Sequence, residues 1–146
     1  MKYYFGLILL TLLSSCGNKE KIKEVALPKD FTAFYEKFHA DSIYQLNHIR
    51  FPLEGLPSIA DNADAMDFHW GIENWEMHKP FADDNKEYNR VLTVVDSSII
   101  IETIRMENNQ YGMERRFAKF GKEWQLIYYA AMNKLVNKND ADSVNY

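Results

Sequence analysis

The sequence predicts an α+β fold in which an N-terminal helix packs on an antiparallel sheet. The helix is indicated by four aromatic residues spaced at i, i+3, i+4 and i+7, which are Phe31, Phe34, Tyr35 and Phe38. The sheet is indicated by four apolar-rich runs separated by short turn sequences, namely VLTVV, IIIETIRM, YGMERRFAKF and EWQLIYYAAM. A packed core is expected, because 47% of the residues are hydrophobic and 14% are aromatic.

The segment before the sheet predicts two helices. Asp30 stands just ahead of the aromatic positions and is a candidate N-cap for a helix over residues 31–38. A second short helical turn is expected from Asp41, with inward-facing side chains at Ile43, Tyr44 and Leu46.

The chain between these helices and the strands is harder to assign. Pro52 and Pro57 bracket FPLEGLP, which favours an edge strand or an extended segment, because proline cannot donate a hydrogen bond to a neighbouring strand. Residues 58–86 contain two tryptophans but no sustained apolar period, so the sequence predicts no element there.

The turn sequences predict the register of the last three strands. If Asn108-Asn109 is a two-residue hairpin loop, the opposed pairs are Met106–Tyr111, Ile104–Met113, Glu102–Arg115 and Ile100–Phe117. If Gly121-Lys122 is the next loop, Phe120 faces Glu123, followed by the pairs Phe117–Leu126, Arg115–Tyr128, Met113–Ala130 and Tyr111–Met132. Both registers place apolar residues opposite apolar residues on one face, and a slip of one residue would destroy this agreement.

One layer of that face is polar, because Glu102, Arg115 and Tyr128 align across three strands. As candidate pocket residues, Arg115 could bind an anionic group, Glu102 could act as a base, and Tyr128 could polarise a carbonyl. The same residues could instead form a structural cross-strand ion pair capped by a hydroxyl. An arginine opposite a glutamate already completes an ion pair, so we assign no catalytic residue.

Trp70 and Trp75 flank a Gly-Ile-Glu-Asn turn and are further candidate pocket residues. Exposed, they could stack on a sugar or another flat ligand, but a tryptophan in such a segment more often folds back over the core. His69 and His78, with two glutamates between them, lack the spacing of zinc ligands on one element, so we expect no metal site. The sequence has no phosphate loop or Gly-rich cofactor fingerprint, and we expect no cofactor.

The N-terminal segment predicts a lipoprotein signal. Lys2 precedes an apolar run from Tyr3 to Leu13, which is shorter than the about 20 residues of a membrane-spanning helix. Leu-Ser-Ser-Cys at the end of this run resembles the bacterial lipobox, in which signal peptidase cuts before the cysteine and the cysteine carries the lipid. Cys16 is the only cysteine, and its thiolate would be the nucleophile that lipidation requires.

The predicted organisation is a signal peptide (1–15), a lipidated tether (16–29), one α+β domain (30–133) and a polar tail (134–146). Acyl chains on Cys16 would hold the domain in the cell envelope, at the outer membrane, on its periplasmic face or at the cell surface. Removing Lys2 with the signal takes the net charge from −4 to −5. A mildly acidic domain with no basic cluster argues against a nucleic-acid partner.

The helix, the short extended segment and the strands ending in ERRFAKFGKEWQLIYY resemble the nuclear transport factor 2-like (cystatin-like) superfamily. The helix over 31–38, continued by ADSIYQLNHIRFPLEG, more specifically resembles a family of uncharacterised bacterial lipoproteins, domain of unknown function 4348. The resemblance covers residues 30–133 and rests mostly on core positions. It implies a curved sheet that wraps a helix and leaves a cone-shaped pocket, which some members use for catalysis and many others for binding or assembly. No catalytic motif of an enzyme member maps onto this chain.

Two classes of function follow. The first is a non-catalytic domain that binds a small molecule or an envelope protein at the membrane surface, and the alternative is an enzyme that uses the cone-shaped pocket for acid/base chemistry. The first predicts a pocket that side chains close, or a Glu102–Arg115 pair that satisfies itself. The second requires an open cavity that reaches Glu102 and a carboxylate or histidine without a strong partner.

Lipidation at Cys16 is testable by mass spectrometry of the protein recovered from the membrane fraction. The mature chain should begin at Cys16 with acyl mass added, and Cys16→Ser should release or stall the protein without unfolding the domain. A soluble product that begins elsewhere, or a product that keeps residues 1–15, would contradict the prediction.

Overall fold

Two helices and a six-stranded sheet make up the fold of the computed structural model, which describes residues 26–58, 68–82 and 85–135. The helices are α1 (Lys29–Ala40) and α2 (Ser42–Asn47). The strands are β1 (Ile49–Leu56), β2 (His69–Trp70), β3 (Tyr88–Val94), β4 (Ile99–Met106), β5 (Tyr111–Phe120) and β6 (Glu123–Lys134), and a 3-10 turn follows β2 at Ile72–Asn74. The α+β class is therefore as predicted. No helix in the described ranges is both long and apolar enough to cross a membrane.

The sheet is open and mixed, with the strand order β2-β1-β6-β5-β4-β3. The prediction of a purely antiparallel sheet is wrong, because β1 runs parallel to β6. FPLEGLP is extended, as one of the two predicted alternatives requires, but it does not lie at an edge, since β1 lies between β6 and the two-residue strand β2. Pro52 is accommodated there because the β1–β6 register shifts between Ile49 and Glu54, in a stretch where a missing N–H costs little.

The predicted β4–β5 register is confirmed, with Ile100 opposite Phe117 and Glu102 opposite Arg115. Both turns that set the strand registers contain a residue in the left-handed region, which suits asparagine and glycine: Asn109 has φ 55° and Gly121 has φ 63°.

The β5–β6 register agrees with the prediction only from the turn as far as Phe117, which lies opposite Leu126. The next pair is Arg116 with Tyr128, so Ile127 is an extra residue on β6 and forms a bulge. Beyond the bulge every pair is displaced, so that Tyr129 rather than Tyr128 lies opposite Arg115. A second irregularity follows between Gly112 and Glu114. The predicted pairs Arg115–Tyr128, Met113–Ala130 and Tyr111–Met132 are therefore wrong.

Helix α1 supplies the aromatic half of the core, as its periodicity predicts. Phe31 and Phe38 are fully buried and Phe34 nearly so, and all three rings contact Phe117 of β5 with centroids 5.4–5.8 Å apart. Phe31 also packs edge-on against Trp124 of β6, at 5.0 Å. These contacts between α1 and one face of the sheet hold the two layers of the domain together.

Two details of the helices differ from the predictions. The N-cap of α1 is Pro28, whereas Asp30 lies in the first turn and accepts hydrogen bonds from Lys119 Nζ and Trp124 Nε1. Asp41 does cap α2, accepting from the Tyr44 N–H at 2.9 Å. However, Ile43 is 72% exposed, and the buried residue of α2 is Gln45.

Phe38→Ala should lower the free energy of unfolding by about 3–5 kcal/mol, because it removes a buried ring between α1 and Phe117. Phe120→Ala is the matched control, because that ring is 44% exposed on β5 and its loss should cost less than about 1 kcal/mol. Denaturant unfolding measures both variants. Similar small costs at the two positions would show that the buried face of α1 has been misassigned.

Candidate functional site

A polar cluster is centred on Glu102, which lies in the middle of β4 and is 1% exposed. Arg115 of β5 donates from Nη1 to Glu102 Oε2 at 2.9 Å. Arg90 of β3 donates from Nε to Oε1 at 2.7 Å, and the hydroxyl of Tyr35 on α1 donates to the same oxygen at 2.6 Å. Both carboxylate oxygens are therefore engaged, by three side chains from three different elements.

The environment of Glu102 favours the ionised form. Burial by itself would raise the pKa of this carboxyl, but the charge of Arg115 and the hydrogen bonds from Tyr35 and Arg90 outweigh burial and hold the pKa below its ordinary value. Burial and the neighbouring carboxylate raise the pKa of the Tyr35 phenol, so Tyr35 stays protonated and keeps its role as a donor.

His39 extends the cluster towards the helix. Its Nδ1–H donates to the carbonyl of Tyr35 at 2.9 Å, which leaves Nε2 as an acceptor facing Arg115 Nη1 at 3.3 Å. Burial lowers the pKa of His39 to about 4, and the charge of Arg115 acts in the same direction. The ring is therefore neutral at pH 7 and is already engaged on both nitrogens.

A separate cavity of about 600 Å³ lies on the same face of the sheet as Arg115, between the end of β1, β2 and the C-terminal half of β6. We call it the aromatic cavity, because its walls include the rings of Phe68, Trp70, Trp75, His78 and Tyr129. The two indole rings are perpendicular, with centroids 6.2 Å apart, and therefore form two adjoining flat walls. Two methionines, Met77 and Met132, add apolar surface.

Gln45 of α2 holds one wall of the aromatic cavity in place. Its Nε2 donates to the carbonyls of Phe38 and His78, at 2.7 and 2.9 Å. Its Oε1 accepts from Trp75 Nε1 at 3.1 Å and from the His78 N–H at 2.8 Å. The buried amide thus has four hydrogen bonds, which replace the regular backbone pairing that the segment around Trp75 lacks.

The other indole is fixed by the sheet itself. Trp70 Nε1 donates to the carbonyl of Tyr129 at 2.9 Å, across β1. This contact is close because Gly55 of β1 lies between them, and a Cβ there would come within 1.8 Å of the Tyr129 carbonyl oxygen. A glycine at position 55 is therefore required for the wall that Trp70 forms.

A second cavity, of about 470 Å³, lies between α1 and β3. Its lining includes Tyr35, His39 and Arg90, and the remaining walls are mostly apolar. It reaches the edge of the polar cluster, whereas Glu102 is not among its lining residues.

The predicted site residues are therefore divided among three places. Glu102 and Arg115 contact each other in the polar cluster, and Trp70 and Trp75 meet in the aromatic cavity. Tyr128 belongs to neither, because the bulge at Ile127 turns it to the opposite face, where the guanidinium of Arg116 lies 4.3 Å from its ring centroid.

Sequence reasoning missed Tyr35, His39, Arg90, Gln45 and Tyr129. Tyr35 fits the apolar period of α1, so the pattern predicts its burial but not the hydrogen bond of its hydroxyl. His39 lies one residue past the predicted helix. The position of Arg90 could have been found from the sequence, because a hairpin register that opposes Leu92 and Glu102 leaves Arg90 two residues away on the same face.

The histidines form no group of three or more potential metal ligands within the described residues. His69 lies on β2, where its Nε2 is 3.3 Å from Glu54 Oε1. His78 instead packs between Trp75 and Tyr129, with both ring centroids at 4.4 Å. The two histidines therefore have different surroundings and do not converge on one site.

A comparison with models of protein families identifies the family of this chain. The family model described as domain of unknown function (DUF4348) matches residues 2–131. The chain belongs to this family. A search of curated proteins gives no match. The matched range of the DUF4348 domain includes the whole polar cluster and all but one of the residues that line the aromatic cavity.

Glu102→Gln tests whether the DUF4348 domain depends on the polar cluster for stability. The free energy of unfolding should fall by about 3–5 kcal/mol at pH 7, because the change leaves the buried guanidinium group of Arg115 and the partly buried one of Arg90 without their carboxylate. The folded-state pKa of Glu102 is below the unfolded one, so this contribution is present above the unfolded pKa and is lost as the pH falls through the folded pKa. The difference between wild type and variant should therefore shrink in acid.

Glu114→Gln is the matched control, because Glu114 pairs with Arg116 on the other face, where both side chains are partly exposed. Its cost should stay below about 1 kcal/mol. Denaturant unfolding at a series of pH values measures both variants. An equal cost for the two, or a Glu102→Gln difference that does not change with pH, would contradict a structural role for the cluster.

Proposed function

We propose that the protein is a lipid-anchored envelope protein with a non-catalytic domain, which binds a small molecule in the aromatic cavity. The observation that carries the proposal is that the polar cluster and the aromatic cavity are two separate places in the domain. The buried charges of Glu102 and Arg115 are paired in the core, whereas the open cavity has aromatic walls.

The saturation of Glu102 favours binding over acid/base chemistry. A general base needs a lone pair directed at substrate, but both oxygens of Glu102 accept hydrogen bonds from within the domain. Its low pKa would also make it a weak base. The enzymatic alternative would have to use the second cavity, which Tyr35 and His39 line. Both side chains already make hydrogen bonds within the polar cluster, so neither is free to act on a substrate.

The shape of the aromatic cavity favours a bound small molecule. A volume of about 600 Å³ is within the range of ordinary ligand pockets, which are mostly apolar and largely formed before the ligand binds. The bonds of Gln45 and the Trp70–Tyr129 contact hold the walls in place without a ligand. A preorganised cavity loses little conformational entropy when it binds.

The nuclear transport factor 2-like assignment is part of the proposal. Helix α1 packs on one face of a curved sheet, and beyond the helix that face carries a cavity, as the superfamily architecture would require. In this interpretation the Glu102 cluster closes the narrow end of the cone and the aromatic cavity is its open part.

Membrane attachment is proposed through Cys16, which lies outside the described residues. The family match begins at residue 2 and so includes the apolar segment and the cysteine. Helix α1 begins at Lys29, which leaves residues 17–28 between the proposed anchor and the first helix. Attachment would place the cavity within reach of small molecules in the envelope.

A ligand screen by tryptophan fluorescence tests the proposal, because two of the three tryptophans line the cavity and Trp124 is buried in the core. Non-fluorescent compounds that bind should change the emission of the wild type. The change should be lost when Trp70 and Trp75 are both replaced by phenylalanine, and it should persist in Trp124→Phe. Ligands whose signal comes from Trp124 alone, or a diverse library in which no compound changes the emission of Trp70 or Trp75, would overturn the proposal.

A further inference from the structure

The aromatic cavity contains an unbalanced negative charge. Glu76 is the one acidic residue among the described residues that line it, and none of those lining residues is lysine or arginine. Glu76 is exposed and makes no ion pair within the described part of the chain. Its charge is therefore available to a ligand.

The histidine in the wall does not offset this charge. Burial, with the charge of Arg115 acting in the same direction, lowers the pKa of His78 to about 2. The ring is neutral at any pH at which the domain would operate. Arg115 is only 5% exposed, pairs with Glu102 at 2.9 Å and is not among the residues that line the cavity.

Glu76 also lies within electrostatic range of the aromatic wall. Burial raises the pKa of the Tyr129 phenol, the charge of Arg115 opposes this effect, and the charge of Glu76 raises the pKa again. Glu76 and Tyr129 line the same cavity, and the charge of the Glu76 carboxylate acts on the Tyr129 phenol.

The polar atoms of the indole walls are directed away from the ligand space. The Nε1–H groups of Trp70 and Trp75 donate to the Tyr129 carbonyl and to Gln45, and Asn74 Oδ1 accepts from the Gly71 N–H at 2.8 Å. The two indole faces therefore present only apolar surface, and the buried Nδ1 of His78 is a wall atom without a hydrogen-bond partner among the described residues. A flat apolar body would match the indole faces, and the negative face of an aromatic ring attracts a cation.

We propose that the aromatic cavity takes a small organic cation, a flat apolar body that carries an ammonium group, with the ammonium group at Glu76 and the body against the walls of Trp70 and Trp75. This inference rests on the proposed binding function and adds the charge of the ligand to it.

Three indoles of the same flat shape but different charge test the inference: tryptamine is cationic, tryptophol is neutral and indole-3-acetate is anionic. Each is titrated into the ¹⁵N-labelled domain, and binding is followed at the indole N–H signals of Trp70 and Trp75. Tryptamine should bind about five- to tenfold more tightly than tryptophol, because ring faces and a carboxylate both attract the ammonium group. Indole-3-acetate should bind most weakly, and added salt should reduce the differences.

Glu76→Gln should reduce the ratio of the tryptophol Kd to the tryptamine Kd to about twofold or less, because the substitution removes the charge and keeps the shape. Glu73→Gln is the matched control, since Glu73 is an exposed acid three residues earlier that does not line the cavity. It should leave the preference intact. Unchanged backbone signals outside residues 72–78 would show that each variant is folded.

The outcomes separate this inference from the broader proposal. If all three indoles bind equally and move the Trp70 and Trp75 signals, the preference for cations is overturned and binding in the cavity stands. A preference for tryptamine that survives Glu76→Gln also overturns the inference. If the indoles move only signals remote from the cavity, both the inference and the placement of the binding site are wrong. If none binds, the cation inference is overturned, and the fluorescence screen still decides the binding proposal.

Discussion

The buried carboxylate of Glu102 is the constraint on which the rest of the domain depends. A charge in the core is tolerated only when it is paired and hydrogen-bonded, and here α1, β3 and β5 each supply one of the partners. Apolar contacts hold α1 against the sheet, and a hydrogen bond adds a directional constraint to them. The bond from Tyr35 to Glu102 fixes the helix relative to one residue of β4, and the aromatic core around Phe117 then packs in one arrangement.

A second buried polar group, the amide of Gln45, extends this order to a segment that has little regular structure. Glu102 positions α1, and α2 continues the chain directly from it, so Gln45 reaches both Phe38 and the backbone at His78. The indole of Trp75 is held by the same amide. The aromatic cavity is therefore built outwards from the core: a charged contact positions the helices, the helices position an amide, and the amide positions an aromatic wall.

The sequence predicts the parts of the fold that follow from local rules. The period of the phenylalanines predicts α1, and the turns at Asn109 and Gly121 predict the strands and the pairing of Glu102 with Arg115. What it misses depends on contacts between distant residues. The bulge at Ile127 has no local signal, and it exchanges Tyr128 for Tyr129 on the cavity face. Nothing near Gln45 indicates that it will be buried, since its partners lie on other segments. Trp70 and Trp75 could be proposed as candidates, but their meeting in one cavity requires the pairing of β1 with both β2 and β6.

The central claim is that Glu102 belongs to the architecture and that ligands bind elsewhere. The most direct measurement is the pKa of the Glu102 carboxyl in the folded protein, obtained by ¹³C NMR titration of the side chain with the aromatic cavity empty and then occupied. The account predicts a pKa below the ordinary value of a glutamate, unchanged when the cavity is filled. A pKa raised towards neutrality, or one that moves when a ligand binds, would make Glu102 part of a working site and contradict the account.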